Sequence, residues 1–358
     1  MKEGGAQRVR LAAGAGVRLA LSFLLALAAS TLCWIARAQT PKPTPASDQE
    51  VEDGEVISFR TTEVLLPVTV RDRDGKLITT LTRKEFRVFE DGSEQPLSDL
   101  ALREAPVDVV LMVDASSSVS RNLDDFRRAA LGFAQKLSPA DRLSLIKFDD
   151  RIELLQDWTR SRLQLRRSLD RVTPGMFTRF YDALMLAAKE QFKGSPVRHA
   201  VIVLTDGIDS RRGAATLAAA VKSLLEAQAI VYVVSNTEIE REEKLAELNR
   251  LLSDSQSVRN FNSLRIDDLR EGLRVLDESE KQLAQLTAAT GGRLYKPRTF
   301  DALESTYAEV AEELRHQYTL YYSPLDKARD GRFRRVKVQA ADPTLTVSTR
   351  MGYFAPSR

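Results

Sequence analysis

Val107-Asp108-Val109-Val110-Leu111-Met112-Val113-Asp114-Ala115-Ser116-Ser117-Ser118 decides how the rest of this 358-residue chain is read. The run from Val107 to Val113 is almost continuously apolar over the length of one strand. A strand without polar alternation is covered on both faces, as in the parallel sheets of α/β proteins. Downstream, Leu123, Phe126, Ala130, Phe133 and Leu137 share one helical face, and Pro139 stops the helix. Strands are expected at 143–148, 152–158, 199–204 and 230–234, with helices at 163–169, 181–192 and 214–227. The alternation predicts an α/β fold, a doubly wound and mostly parallel sheet with helices on both faces. Residues 237–275 are highly charged and include a Ser/Asp/Asn-rich stretch at 253–263, which reads as an excursion with mobile parts or as surface decoration. A helix at 283–289 capped by Gly291-Gly292, a short strand at 294–295 and a helix at 303–314 complete the block.

On either side of the block the texture is β. Val64, Leu66, Val68 and Val70 alternate with Leu65, Pro67 and Thr69, and Phe86, Val88 and Phe89 form a second short run. Asp74-Gly75 and Asp91-Gly92 supply hairpin turns. The run Asp72-Arg73-Asp74-Gly75 lacks the alternating oxygen ligands of a calcium loop and is read as a turn. After the block, 317–322, 332–339 and 345–350 are alternating strands with turns at Asp330-Gly331 and Asp342-Pro343. About four strands before and three after are too few for two independent units, but together they make one small β-sandwich. The expected architecture is therefore a β-sandwich split by an inserted α/β domain, with an extension of the α/β sheet by the flanking strands as the alternative.

The chain is 29% charged and 43% hydrophobic, which excludes wholesale disorder. Its formal charge of +3 is an effect of the start. Residues 1–38 hold five of the 53 basic side chains and one of the 50 acidic ones, so the remainder is one charge negative. A basic opening, the uncharged run at 19–35 and Ala36-Arg37-Ala38 form a secretory signal, which takes the sole cysteine, Cys33, with it. An uncleaved anchor is the alternative, since the run is at the short limit of a spanning helix. The expected division is signal 1–38, Pro-rich then acidic linker 39–55, first sandwich part 56–105, α/β domain 106–316 and second sandwich part 317–358. A secreted or periplasmic location follows, with no membrane span after cleavage. A near-neutral chain without a basic-aromatic stripe is not a nucleic-acid binder.

The chemistry gathers at strand ends, where ligands bind in doubly wound sheets. The first strand ends in Asp114-x-Ser116-x-Ser118, the strand at 199–204 ends in Thr205-Asp206-Gly207, and Thr178 lies in the loop before Tyr181-Asp182-Ala183-Leu184. Asp114, Ser116, Ser118, Thr178 and Asp206 form an all-oxygen set that suits Mg²⁺, Mn²⁺ or Ca²⁺ and not zinc. Neutral hydroxyls beside two carboxylates leave a bound ion electron-poor and short of ligands, so it should accept an Asp or Glu carboxylate from a protein partner. No other cofactor is called for.

This pattern resembles the von Willebrand factor type A domain, whose metal-ion-dependent adhesion site is D-x-S-x-S, a Thr and a later Asp. The resemblance covers roughly residues 106–316 and fills all five positions, with Thr178-x-x-Tyr181-Asp182-Ala183-Leu184 and Leu204-Thr205-Asp206-Gly207 in order. The whole chain is also similar to a group of secreted bacterial proteins, prominent in acidobacteria, that flank this domain with β segments such as 86–92 and 317–322. One departure is Pro174-Gly175-Met176-Phe177 where many members have Gly-Gly before the Thr, which makes Thr173 a competitor of Thr178. Met176 and Phe177 either rim the metal or pack under the loop. Asp182 reads as a helix-start charge, Asp209, Arg211 and Arg212 as solvated surface, and His199, His316 and Trp158 as structural.

The resemblance implies an exported, non-enzymatic binding module that engages a partner carboxylate through its metal and moves its last helix as the loops close. Two readings stay beside it. One is an envelope scaffold with an incidental metal. The other is a metal-assisted hydrolase using Asp114 and Asp206, although the chain has no G-x-S-x-G, H-E-x-x-H, Walker-A or Rossmann glycine signature and no His or Lys placed as a base.

Overall fold

The computed structural model describes residues 63–102, 106–117, 123–195, 197–210 and 212–357. The expected signal, the linker and site residue Ser118 lie outside the described residues. Four strands come first: β1 (Val64–Arg71), β2 (Phe86–Glu90), β3 (Ser93–Gln95) and β4 (Leu97–Leu102). The α/β block follows with β5 (Val107–Asp114), α1 (Leu123–Lys136), β6 (Arg142–Phe148), β7 (Ile152–Thr159), α2 (Arg162–Leu169) and α3 (Phe180–Leu186). A π-helical turn, Ala187–Gln191, extends α3. Next come β8 (Arg198–Thr205), α4 (Leu217–Glu226), β9 (Ala229–Ser235), α5 (Thr237–Ser253), α6 (Gln256–Phe261) and α7 (Ser263–Thr290). The chain closes with β10 (Leu294–Tyr295), α8 (Leu303–Arg315), β11 (Tyr318–Tyr322), β12 (Phe333–Ala340), β13 (Thr346–Ser348) and β14 (Gly352–Phe354).

The central sheet has the order β10-β9-β8-β5-β6-β7, parallel except for β7. Every residue of β5 is buried, as its unbroken apolar run requires. Val109, Leu111 and Val113 pack on one side against Phe126 and Phe133 of α1 and Tyr307 and Val310 of α8. Val110 and Met112 pack on the other against Phe180 of α3, Leu224 of α4 and Leu286 of α7. The sheet is thus sealed on both faces, and its chemistry is left to the edge where strands turn into loops.

The flanking strands do not extend this sheet. They form two four-stranded antiparallel sheets, β13-β1-β11-β4 and β14-β12-β2-β3, and both mix strands from before and after the block. Leu66, Val68, Leu320 and Tyr322 of the first sheet share one apolar core with Val88, Val336, Val338 and Tyr353 of the second. The sandwich has one strand more than the sequence suggests. β14 is three residues long and brings only Tyr353 as a large apolar core residue, too little for a period-2 signal. Asp91 (φ 47°) and Gly92 (φ 87°) make the β2–β3 turn with two left-handed residues, which the Asp-Gly pair tolerates.

Within this core Glu90 is buried and accepts hydrogen bonds from the Tyr322 hydroxyl (2.7 Å) and the Tyr353 hydroxyl (2.9 Å). Removing the carboxylate takes the shared acceptor away from two buried hydroxyls. Glu90→Ala is therefore expected to destabilise the protein by about 2–4 kcal/mol, measured as a shift in the urea midpoint at unchanged slope.

The charged segment 237–275 is helical. α5 and the first half of α7 pack on one another around Leu248, Leu251, Ile266 and Leu269, with the short, unburied α6 connecting them. Its charges pair across and along the helices: Arg265 with Glu247 and Asp268, Arg241 with Asp277 and Glu280, and Arg274 with Glu271. A four-residue seam in a charged surface carries little periodicity, which is why the sequence reads there as irregular.

Candidate metal centre

Parallel pairing sets the geometry. β5 and β8 are neighbours with Val113 opposite Leu204, so Asp114 and Thr205-Asp206 emerge together at the carboxyl edge of the sheet. Asp114 is fully buried; its Oδ1 accepts from the Ser116 backbone N–H (2.9 Å) and its Oδ2 from the Thr205 hydroxyl (2.6 Å). Thr205 Oγ1 accepts in turn from the Gly207 N–H (2.8 Å). Asp206 is buried, its Oδ1 accepts from the Ile208 N–H (2.9 Å), and its backbone carbonyl accepts from Ser279 of α7 (2.6 Å). Gly207 (φ +73°) permits this tight turn, and a Cβ there would lie 2.5 Å from Leu283 and 2.7 Å from Ser279.

The loop carrying Thr178 is laced to both of the others. The Gly175 N–H donates to the Ala115 carbonyl (2.7 Å), the Ser210 N–H to the Thr178 carbonyl (2.9 Å), and the Thr178 N–H to the Ser210 hydroxyl (2.9 Å). Gly175 lies against Asp149, where a Cβ would come within 2.4 Å of the carboxyl carbon. The one glycine retained in the Pro174–Phe177 departure is thus the one that close approach demands. Thr178 is buried, whereas its competitor Thr173 is exposed. Met176 stands 72% exposed, and Arg212 stacks on the Phe177 ring at 3.5 Å.

The electrostatics favour a cation. Burial, and then the negative charge of Asp206, push the Asp114 carboxyl up to about 7, although Thr205 and Ser116 hydrogen bonds pull the other way. Glu240, one turn into α5 beyond the end of β9, is also pushed up to about 7, by burial first and by Asp206 second. Among the described residues no group of three or more Asp, Glu, His or Cys side chains is placed to hold a metal ion.

Residues 109–208 match the family model of the von Willebrand factor type A domain. This chain carries a von Willebrand factor type A domain. Such domains are protein-interaction modules that often hold a divalent metal at a metal-ion-dependent adhesion site. An uncharacterized protein of Synechocystis sp. is 30% identical over 109 residues, or 29% of this chain and 26% of that protein. The chain thus spans about a quarter of the length of this curated relative. Among solved structures, a von Willebrand factor type A protein from Catenulispora acidiphila is 12% identical, covering 83% of this chain and 75% of that one, with a TM-score of 0.45. Proximal thread matrix protein 1 of the mussel byssus, with a zinc-occupied adhesion motif, is 18% identical, covering 64% of this chain and 50% of that one, with a TM-score of 0.42.

The von Willebrand factor type A domain of this chain brings Asp114, Ser116, Thr178 and Asp206 to loops at one sheet edge; Ser118 lies outside the described residues. Asp209 is not plain solvated surface, because its Oδ2 accepts from the Tyr181 N–H (3.2 Å) at the start of α3. Asp182 has structural partners, accepting from the Ala214 N–H (3.2 Å) and facing Arg179. Trp158 packs on Phe192, and its indole N–H donates to the Gln191 carbonyl (3.3 Å). Sequence reasoning missed Thr205 as the group that orients Asp114, and Glu240 at the next strand end. Extending the carboxyl-edge rule to β9 would have pointed to Glu240. No helix among the described residues is long and apolar enough to cross a membrane.

Proposed function

We propose that this chain is an exported, non-enzymatic binding module. Asp114, Ser116, Ser118, Thr178 and Asp206 would hold a divalent cation, Mg²⁺, Mn²⁺ or Ca²⁺, that takes an Asp or Glu carboxylate from a protein partner. The observation that carries this reading is the pair of buried acids, Asp114 and Asp206, at adjacent strand ends. Two buried like charges raise each other's proton affinity, and a divalent cation reverses that repulsion. The donor chemistry fits such an ion: Asp114 is aligned by a neutral amide and a hydroxyl, which fix its oxygens without neutralising them. A bound ion would supply Lewis acidity toward an incoming carboxylate. The chain's own part is to hold the acids in place through Thr205, Gly207 and Ser279, and to present Met176 and the Phe177–Arg212 stack as a rim beside the ion.

Export rests on the sequence of 1–38, and the division into sandwich parts 56–105 and 317–358 around a binding domain at 106–316 belongs to the same proposal. The test is capture of partners from an extracytoplasmic extract with and without Mg²⁺, with Asp114→Ala as control. Partners retained by the wild type in Mg²⁺, and lost both on chelation and in the variant, are the expected result. Partner capture indifferent to chelation and to the substitution would refute the proposal.

A further inference from the structure

α5 and α7 form an arm that stands off the carboxyl edge of the central sheet. α5 leaves the end of β9 directly, and α7 returns to that edge at Ser279, whose hydroxyl donates to the Asp206 carbonyl (2.6 Å). Beyond Ser279, α7 packs on the sheet through Leu283 and Leu286. Before it, Ile266 and Leu269 pack with Leu248 and Leu251 of α5 in a core separate from that of the sheet. At a helical rise of ~1.5 Å per residue, residues 263–279 set the connecting α6 about 24 Å from the edge.

The end of this arm is apolar. Phe261 is 89% and Leu264 84% exposed, more than any other large apolar side chain among the described residues. Val258, exposed as well, shares a face of α6 with Phe261. The end is also basic. Along the arm, Arg241 pairs with Asp277 and Glu280, and Arg265 with Glu247 and Asp268. At the end, Arg259 donates to two neutral acceptors, the Leu252 carbonyl (3.1 Å) and Gln256 Oε1 (2.6 Å). Neither Arg259 nor Arg250 has an ion-pair partner among the described residues. Asp254 is the one acid in residues 248–266, and the other polar side chains there are Ser, Asn and Gln.

A turn that only joined two helices would need polar residues at these positions, as it has at Ser255, Ser257 and Asn260. Large apolar side chains left in water at the end of an arm mark a contact surface. Charge and shape choose the contact. A second copy would bring a like-charged end against this one. α6 has no buried residue, so its side chains project outward and do not wall a groove. An anionic bilayer supplies the opposite charge and takes in protruding apolar groups without a matching pocket, while its headgroup zone suits Ser and Asn.

We propose that the arm inserts Phe261 and Leu264 into the interface of an anionic bilayer, with Arg250 and Arg259 on the headgroups. The contact is made by the arm alone and needs no divalent ion.

The test reads the arm locally, so that attachment through residues 19–35 does not register. The full chain with Cys33→Ser and Leu264→Cys, labelled with nitrobenzoxadiazole, is mixed in EDTA with vesicles of phosphatidylglycerol or of phosphatidylcholine. A label introduced through Lys337→Cys, at an exposed position of the sandwich, is the reference. At least a twofold rise in emission with a blue shift is expected for the label at 264 on phosphatidylglycerol, and none on phosphatidylcholine or for the label at 337. Phe261→Ser, and Arg250→Glu with Arg259→Glu, should each at least halve the rise; all three positions are at least partly exposed, and circular dichroism checks the fold. No response at 264 on phosphatidylglycerol, an equal response on phosphatidylcholine, or a rise unchanged in these variants would overturn the proposal. A response that follows protein concentration without lipid would assign the end of the arm to a second copy and overturn it as well.

Discussion

Asp114→Asn is expected to raise the stability of the metal-free protein at pH 7.5 and to abolish its stabilisation by Mg²⁺. The folded-state pKa of Asp114 lies near 7, above its ordinary value of 3.8. A carboxyl whose folded pKa is raised holds its proton more tightly in the native state. The destabilisation is therefore absent below pH ~4, grows as the pH rises towards 7 and is constant above. Three pH units at ~1.4 kcal/mol each set a ceiling of about 4 kcal/mol on this effect. Asn keeps the size of the side chain without the charge, and a gain of roughly 2 kcal/mol is expected at pH 7.5 in EDTA. The cation acts in the opposite sense on the wild type, which should gain about 2.7 kcal/mol at a concentration one hundred times the dissociation constant. Thermal melts of both proteins from pH 4.5 to 8, with EDTA or Mg²⁺, check both halves. A wild type whose melting ignores Mg²⁺, together with a variant less stable than it at pH 7.5, would count against a cation at this edge.

Glu313→Ala should be among the most damaging changes outside the apolar cores, at about 3–5 kcal/mol. Glu313 projects from α8 and is 1% exposed. It pairs with Arg71 of β1 and accepts from the hydroxyls of Tyr295 in β10 (3.0 Å) and Tyr232 in β9 (3.2 Å). Gln317 donates to the same Tyr232 hydroxyl (2.9 Å) and to Thr69 of β1 (3.3 Å). This network ties the sandwich to the central sheet through polar groups that are buried, apart from the half-buried Arg71. Without the carboxylate, a guanidinium and two phenols lose their acceptor at once. Urea unfolding followed by circular dichroism should show a large loss for Glu313→Ala and a smaller one for Glu313→Gln, which can still accept. A loss under about 1 kcal/mol for Glu313→Ala would show that the network is not a stabilising joint.

The central sheet was legible because β5, β8 and β9 are covered on both faces, so their sequences could be little other than apolar runs. The candidate site was legible for the same reason: Asp114 and Asp206 stand where those runs stop, and a strand end in such a sheet is an expected binding position. Supporting groups were harder to see. Thr205 belongs to a quoted motif, but only pairing with β5 reveals that its hydroxyl serves Asp114. Asp209 caps a helix 28 positions earlier in the chain, and Arg350 meets Gln228 across 122 positions. Such contacts leave no local pattern. β14 and the hairpin of α5 to α7 were obscured differently, the first by its length and the second by a surface whose ion pairs mask a narrow apolar seam.

The central claim is tested most directly by titrating Mn²⁺ into the metal-free full chain by isothermal titration calorimetry, with Asp114→Asn and Asp206→Asn in parallel. One saturable site per chain in the wild type, at least a hundredfold weaker in each variant, is the expected result. Equal Mn²⁺ binding by all three folded proteins, or none by the wild type, would contradict a metal held between these two strand ends.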